Sequence, residues 1–528
     1  MLIEYVRRPA DPLAAAPVLD ERQQSVVDHA GGPLLVLAGP GTGKTTTLVE
    51  TVVERIEHRG FAPDEILVLT FSRKAAEELR GRIARRLSTA ASSTPTMTFH
   101  SFCYGVVREF SAHELYATPL QLMSAPEQQA VIAELVAGRP VEAWPERLHP
   151  ALRTRGFAAE LQGLMAAAST QDLGSADLAD LADDAGQQEW AAAAAFFEEY
   201  NQVLALQNKS DYTDVVVQAV RLLREHDVRA ELRSRFRLVV VDEYQDTDPL
   251  QVQLLHELAG DGRDLVVVGD PDQSIYTFRG ADVRGILDFP RSFGAPGAPA
   301  PTIALGTTRR FGPRILAATR SIVAPLGVSG HLDSQTFDAF RQLDSAAATD
   351  GEVEVQTFAT ATAEGEHIAR MLREAHLTAD PADSLAWSDM AVLVRTGAEL
   401  TRLERALLAS GVPVEVAGDE IPLAEQPAVR SLLTAVRVAD HLAAERPVPA
   451  DEASAVLTGP IGRLDAAELR RVNRFLRDAD RENEGGPRPS TELLAQALRH
   501  PLDLAARGVA PATQDALDRA ARTAEALG

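Results

Sequence analysis

The sequence predicts an α/β fold in which strands of parallel sheets alternate with helices and long helical stretches are inserted between strands. Three observations predict it. Short apolar runs at Leu34–Leu37, Ile66–Thr70, Leu238–Val241 and Val266–Val268 have the unbroken character of strands covered on both faces. Each runs directly into a turn rich in glycine, hydroxyl or acidic residues, the setting of ligand sites at the carboxyl edge of a parallel sheet. Between them lies alanine- and leucine-rich sequence, above all Tyr104 to Arg235, with few strand-like runs.

At 528 residues the chain is too long for one core and predicts roughly three or four domains. An apolar fraction of 45% supplies several cores. A net charge of -24 argues against indiscriminate attraction to nucleic acid but leaves room for a local basic groove. One cysteine, Cys103, leaves no disulfide framework and no cysteine-based zinc site. The N-terminus lacks the order of a signal peptide and no apolar run approaches bilayer-spanning length, so a cytoplasmic protein without membrane association is expected.

The first strand justifies most of the reading. LLVLAGPGTGKTTT, Leu34 to Thr47, is a strand, a glycine-rich turn and a helix start. Backbone N–H groups and a helix N-terminus there make a phosphate cradle. Ala38, Gly39, Pro40, Gly41, Thr42 and Gly43 form the loop, with Ala38 where the full pattern has glycine. Lys44 is placed to reach the β- and γ-phosphates and Thr45 to hold Mg²⁺. Upstream, residues before Pro17 read as an arm, and Leu19–His29 as a helix capped by Asp20. Gln23 on that helix either points its amide at a bound base or is a solvated surface residue. Downstream, Ile66–Thr70 leads through Phe71 and Arg73 into a helix. An aromatic and cations at that edge suit a stacked base and a phosphate backbone, or else a helix cap with a solvated basic turn. His100, after Thr96–Thr98, has no neighbours at metal spacing. The acidic stretch Gln171 to Trp190 reads as a solvated face. Ser210–Asp214 reads as helix capping or as a source of carboxylates.

Strand Leu238–Val241 ends in Asp242-Glu243. An aspartate there holds Mg²⁺, and the adjacent glutamate acts as general base on the attacking water. After Val266–Val268, Gly269-Asp270 turn the chain so that Gln273 approaches the γ-phosphate, with Tyr276, Phe278 and Arg279 close by as stacking surfaces and a phosphate-seeking cation. Phe289 to Thr302 is rich in proline, glycine and alanine and reads as a linker and hinge. Beyond it, a short strand ending near Arg309-Arg310, then Glu352–Ala359 and Met390–Arg395, predict a second α/β domain. Arg310 is the candidate arginine for the γ-phosphate, or else part of a solvated edge. Arg470, Arg474, Arg477 and Arg481 recur at helical spacing, as a solvated face or a duplex-backbone contact.

In order, LDERQ, AGPGTGKT, TFSRKAA, TFHSF, VDEYQDTD and GDPDQSIYTFRGA resemble motifs Q, I, Ia, Ib, II and III of the UvrD/Rep/PcrA-type superfamily 1 DNA helicases, a resemblance running from about Leu19 to Leu433. PLAEQPAVR and TTRRF are closer to actinobacterial helicase–nuclease subunits. The resemblance implies a P-loop NTPase with RecA-like parallel-sheet domains and inserted helical domains. Its expected boundaries are an arm at 1–17, domain 1A at 18–103 and 211–290, insert 1B at 104–210, a linker at 291–301, the first part of domain 2A at 302–418 and an incomplete domain 2B at 419–528. It implies ATP-driven 3′ to 5′ movement on single-stranded DNA with unwinding of forked duplex, in repair or recombination. A partner subunit of a helicase–nuclease is a further expectation. Gln23 would read adenine. Phe71, Arg73, His100, Tyr276, Phe278 and Arg279 would contact DNA, with Phe278 in place of the family's tryptophan. Where the family sandwiches adenine between an arginine and a tyrosine, this chain has Thr46 and Arg309. Motifs V and VI are not found, so a fragment of a longer protein is expected. The alternative is an ATP-binding, non-catalytic subunit that binds DNA or a partner.

Overall fold

The computed structural model describes residues 16–87, 94–111, 121–207, 209–277, 280–326, 330–378, 384–416, 427–480, 488–500, 504 and 509–527. Phe278, Arg279, Arg481 and most of the expected arm lie outside these. The chain divides into two compact units, Met1–Glu354 and Val355–Gly528.

In the first unit, α1 (Glu21–Val27) leads into β1 (Pro33–Ala38), which runs through the glycine-rich loop into α2 (Lys44–Glu57). β2 (Ile66–Thr70) is followed by α3 (Arg73–Arg86), and β3 (Thr96–Thr98) by α4 (Phe99–Phe110). β4 (Gln121–Leu122) and β5 (Lys209–Ser210) form a short parallel ladder that brings together the two ends of a helical insert. The insert packs its own core around Ile132, Trp144, Phe157, Phe196 and Tyr200. The chain then returns with β6 (Leu238–Val241), β7 (Asp264–Gly269) and β8 (Thr302–Leu305), and a small pair, β9 (Thr307–Thr308) with β10 (Asp344–Ser345).

Six strands make one parallel sheet in the order β3-β2-β6-β7-β1-β8. Alternate residues serve opposite faces. Leu35, Leu37, Leu67, Leu69, Val239 and Val241 enter one core, while Leu34, Val36, Val68, Val240 and Val268 pack with Leu48 and Val52 of α2 in the other. Burial on both faces is why these strands read as continuous apolar runs. Because every strand runs the same way, the loops after β1, β2, β3, β6 and β7 all emerge at one edge.

Three expectations are corrected. β8 was expected to open a second sheet, but it pairs with β1, with Val36 opposite Ile303, and so extends the first sheet. The residues read as a linker are a compact connection: Phe289, Phe293 and Ala300 are buried, and the Ala300 N–H donates to the Pro290 carbonyl at 2.7 Å. The small residues serve close packing, since a Cβ on Gly294 would lie 2.5 Å from the Pro290 oxygen. Finally, neither Glu352–Ala359 nor Met390–Arg395 is in a strand. Their alternating apolar residues have no ladder partner among the described residues, and Val355 and Leu393 are exposed. Strand pattern alone does not make a strand; its backbone groups need a neighbour.

The second unit is helical among its described residues. Ala361–His376 packs on Gly397–Ala409 through Ala369 and Leu407. Five further helices, Pro427–Ala443, Ala450–Thr458, Ala466–Asp480, Ser490–Arg499 and Pro511–Leu527, surround Val438, Leu457, Val472, Leu494 and Leu517. Arg470, Arg474 and Arg477 are exposed opposite buried Val472 and Leu476.

Candidate nucleotide site and nucleic-acid edge

The loop after β1 has the backbone that its glycines allow. Gly41 and Gly43 have φ of 76° and 88°, a region that favours residues without a Cβ. Thr42 is buried and closes the loop, its hydroxyl donating to the Gly39 carbonyl at 2.7 Å. Ala38 is the buried end of β1, and the side chain of Leu343 packs close to Gly39. Thr45 and Thr46 lie in the first turn of α2. Lys44 begins that helix, and its Nζ donates to both carboxylate oxygens of Glu243, at 2.9 and 3.1 Å.

That pairing brings the ends of β1 and β6 together across 199 residues of sequence. Asp242 directly follows β6 and accepts the Glu243 N–H at 3.1 Å. Glu243 has φ of 52°, a left-handed conformation that is uncommon for a residue with a side chain and is stored where surrounding contacts enforce it. Burial, reinforced by the neighbouring Glu243 charge and opposed by Lys44, pushes the Asp242 carboxyl up to about 6. Burial does the same to Asp246, helped by Glu243, and to Asp270, opposed by the hydrogen bond from Gln273. Among the described residues no cluster of three or more His, Cys, Asp or Glu is arranged to hold a metal. One buried carboxylate and the Thr45 hydroxyl are instead an all-oxygen set of the kind that holds Mg²⁺ together with substrate phosphates.

Gln245, which the sequence reading passed over, joins this centre to the next loop. Its side chain is buried. Its Nε2 donates to Glu243 Oε2 at 2.8 Å, and its Oε1 accepts the Asp270 N–H at 3.0 Å. Asp270 in turn accepts from Gln273 Nε2 at 2.6 Å. Three residues on, Tyr276 stacks on Phe71, with ring centroids 4.4 Å apart. Phe71, Arg73, Thr98, His100, Tyr104 and Tyr212 line one open groove at the ends of β2 and β3. Tyr212, also passed over, meets His100 edge to face at 5.2 Å. Its neighbour Asp211 caps the helix Tyr212–Arg224, as the capping alternative expected. Burial holds the His100 imidazole below its ordinary pKa.

Arg310 lies against the phosphate loop: a Cβ on Gly41 would sit 2.4 Å from Arg310 Cβ and 2.5 Å from Thr308 Oγ1. The Thr308 hydroxyl donates to the Pro40 carbonyl at 2.9 Å, and the Arg309 N–H to that of Gly41 at 2.9 Å. Arg309 Nη2 pairs with Asp20 at 3.0 Å. Gln23 is buried rather than solvated, and donates to the Thr42 carbonyl at 2.9 Å.

A parallel sheet with a glycine-rich phosphate loop, a lysine and paired acids at its carboxyl edge defines a P-loop nucleotide-binding domain. The chain belongs to the UvrD/REP helicase family, whose N-terminal domain matches residues 19–294. It is 32% identical over 448 residues to the ATP-dependent DNA helicase UvrD1 of Mycobacterium tuberculosis, covering 82% of this chain and 53% of that protein. It is 30% identical over 454 residues to UvrD2 of the same species, covering 82% and 59%. To PcrA of Staphylococcus epidermidis it is 26% identical over 431 residues, covering 80% and 53%. The chain thus spans a little over half the length of these relatives. No helix among its described residues is long and apolar enough to cross a membrane.

Proposed function

We propose that this chain carries the ATP-hydrolysing motor of a cytoplasmic DNA helicase, which moves 3′ to 5′ along single-stranded DNA and opens forked duplex in repair or recombination. A partner subunit of a helicase–nuclease belongs to the same reading. The supporting observation is the continuous set of contacts from Lys44 through Glu243, Gln245 and Asp270 to the loop that carries Gln273 and Tyr276.

In this reading the loop from Ala38 to Gly43 cradles the phosphates of ATP, and Lys44 leaves Glu243 to contact the β- and γ-phosphates. Thr45 and Asp242 would hold Mg²⁺, which supplies charge neutralisation at the phosphates. Released from Lys44, Glu243 accepts the proton of the attacking water as general base. Gln273 senses the γ-phosphate, and Arg310 stabilises the charge that develops on it. Phe71 and Tyr276, with Arg73, His100 and Tyr212, receive unstacked bases and backbone at the adjoining edge. Phe278 and Arg279 extend that surface in the sequence reading.

The test is ATP hydrolysis with and without single-stranded DNA, alongside Glu243→Gln. Expected is DNA-stimulated turnover that falls by roughly 10²- to 10⁴-fold in the variant, the usual range for loss of a general base. DNA-independent turnover that survives the substitution would sink the reading.

A further inference from the structure

The turn that carries Gln273 is tied to the element that carries Arg310 by an ion pair that belongs to neither. Pro271–Gln273 is one tight turn after β7, and Asp270 organises it: one carboxylate oxygen accepts the Asp272 N–H at 2.9 Å and the other the Gln273 Nε2 at 2.6 Å. The Asp272 carboxylate meets Arg341, the last residue of the helix Ser334–Arg341. Arg341 Nε donates to Oδ2 at 2.9 Å and Nη2 to Oδ1 at 2.6 Å, so the two planar groups meet fork to fork. The guanidinium is itself held, with Nη1 donating to the Leu326 carbonyl at 2.9 Å and its carbon 4.4 Å from the centre of the Phe337 ring. At 17% and 16% exposure both side chains are largely shielded from water. A pair in that setting fixes orientation as well as distance, which the single ammonium of a lysine does not.

Two residues after Arg341 the chain reaches the phosphate loop. Leu343 packs against Gly39, where a Cβ would lie 2.9 Å from Leu343 Cδ1, and Arg320 donates to the Leu343 carbonyl. Asp344 and Ser345 then pair as β10 with Thr307 and Thr308 of β9, and the Asp344 N–H donates to the Gly306 carbonyl at 2.8 Å. Arg310 follows β9 by two residues. A series of short contacts therefore runs from the Gln273 turn through Asp272 and Arg341 to β10, β9 and Arg310. We propose that Arg341 is a positioning residue for recognition of the γ-phosphate: through Asp272 it holds Gln273 in place relative to Arg310, so that the site distinguishes a triphosphate from a diphosphate. The proposal rests on the role given to Gln273 in the preceding section.

The experiment is displacement of mant-ADP by Mg-ATPγS and by Mg-ADP, a binding measurement that needs no turnover. The ratio of the two inhibition constants reads the γ-phosphate. Arg341→Lys keeps the charge and loses the fork. It should cut the preference for ATPγS by roughly 5- to 10-fold, about what one hydrogen bond contributes, and leave ADP affinity unchanged. Asp272→Asn should do the same from the other side of the pair, and thermal melting checks that both variants are folded. Gln273→Ala should also lower the preference, and adding Arg341→Lys to it should lower it no further, because the group being positioned is gone. Equal losses for ATPγS and ADP in Arg341→Lys, or a loss that adds to that of Gln273→Ala, would overturn the proposal and leave Arg341 a support of the fold. An unchanged preference in Arg341→Lys overturns it as well, with the role of Gln273 intact. Full preference retained in Gln273→Ala would instead remove the role of Gln273, and the proposal with it.

Discussion

Replacing Asp242 by asparagine should stabilise the metal-free protein at alkaline pH. The carboxyl is 7% exposed at the end of β6, and its pKa is raised from 3.8 to about 6 chiefly by burial. At about 1.4 kcal/mol per tenfold change in proton affinity, holding the ionised form in the fold costs on the order of 3 kcal/mol. Asparagine keeps the oxygen that accepts the Glu243 N–H at 3.1 Å and removes the charge. The sign follows from linkage: the folded state binds the proton more tightly than the unfolded chain, so this group's penalty is full above about pH 6 and fades as pH falls toward 4. Thermal unfolding without divalent cation should therefore show Asp242→Asn melting several degrees above the parent at pH 8, with a difference on the order of 1–3 kcal/mol. At pH 4.5 the difference should shrink to about a third of its value at pH 8. If Asp242 holds Mg²⁺ as proposed, saturating Mg-ATP should reverse the order. A variant no more stable at pH 8, or equally shifted at both pH values, would refute the reasoning.

Two further substitutions separate the nucleotide site from the DNA edge. Gly41→Ala places a Cβ against Arg310 and Thr308 in a backbone of φ 76°, so it should destabilise the fold by roughly 1–3 kcal/mol in denaturant unfolding and abolish mant-ATP binding. Phe71→Ala removes one half of the stack with Tyr276. It should weaken single-stranded DNA by about 1–3 kcal/mol in fluorescence anisotropy and leave nucleotide affinity unchanged; a parallel loss of both would count against separate sites.

The parts of this fold that could be read from sequence are those where burial is symmetrical or the chemistry is local. β1, β6 and β7 are buried on both faces and read as apolar runs, and the loop Gly39–Lys44 has a pattern that little else produces. The partition of the chain was harder, because the composition of Phe289 to Thr302 signals a break whether or not the segment packs. Strand alternation at Glu352–Ala359 carries no information about whether a neighbouring strand is present. Residues whose importance depends on distant partners were the least legible. Gln245 sits inside a recognised motif, yet only the return of β7 beside β6 reveals its bond to Asp270. Arg309 and Asp20 are 289 positions apart, and no periodicity links them. Tyr212 was read for the cap beside it, since its place next to His100 depends on the ladder of β4 and β5 closing the insert.

The Gln245 contacts also constrain how Glu243, the proposed base, can move. Glu243 is held by Lys44 on one side and Gln245 on the other, at 2.9 and 2.8 Å. Gln245 has little freedom of its own: its other end holds the Asp270 N–H, and a Cβ on Gly269 would lie 2.7 Å from that oxygen. If Lys44 turns to a phosphate, Glu243 either stays on Gln245 or swings away and leaves a buried amide donor unpaired, at a cost of about 1–3 kcal/mol. The cheaper course keeps Glu243, Gln245 and Asp270 together. The Asp270 carboxylate also holds Gln273, and the Ser274 hydroxyl donates to the Gln245 carbonyl at 3.3 Å. A displacement of the base is thus carried into the loop ending at Tyr276, whose ring already rests on Phe71. Gln245→Met keeps the volume and removes the side-chain hydrogen bonds to Glu243, Asp246 and Asp270. It should therefore lower the DNA stimulation of ATP turnover more than the basal rate; an equal loss in both would mean that Gln245 orients Glu243 alone.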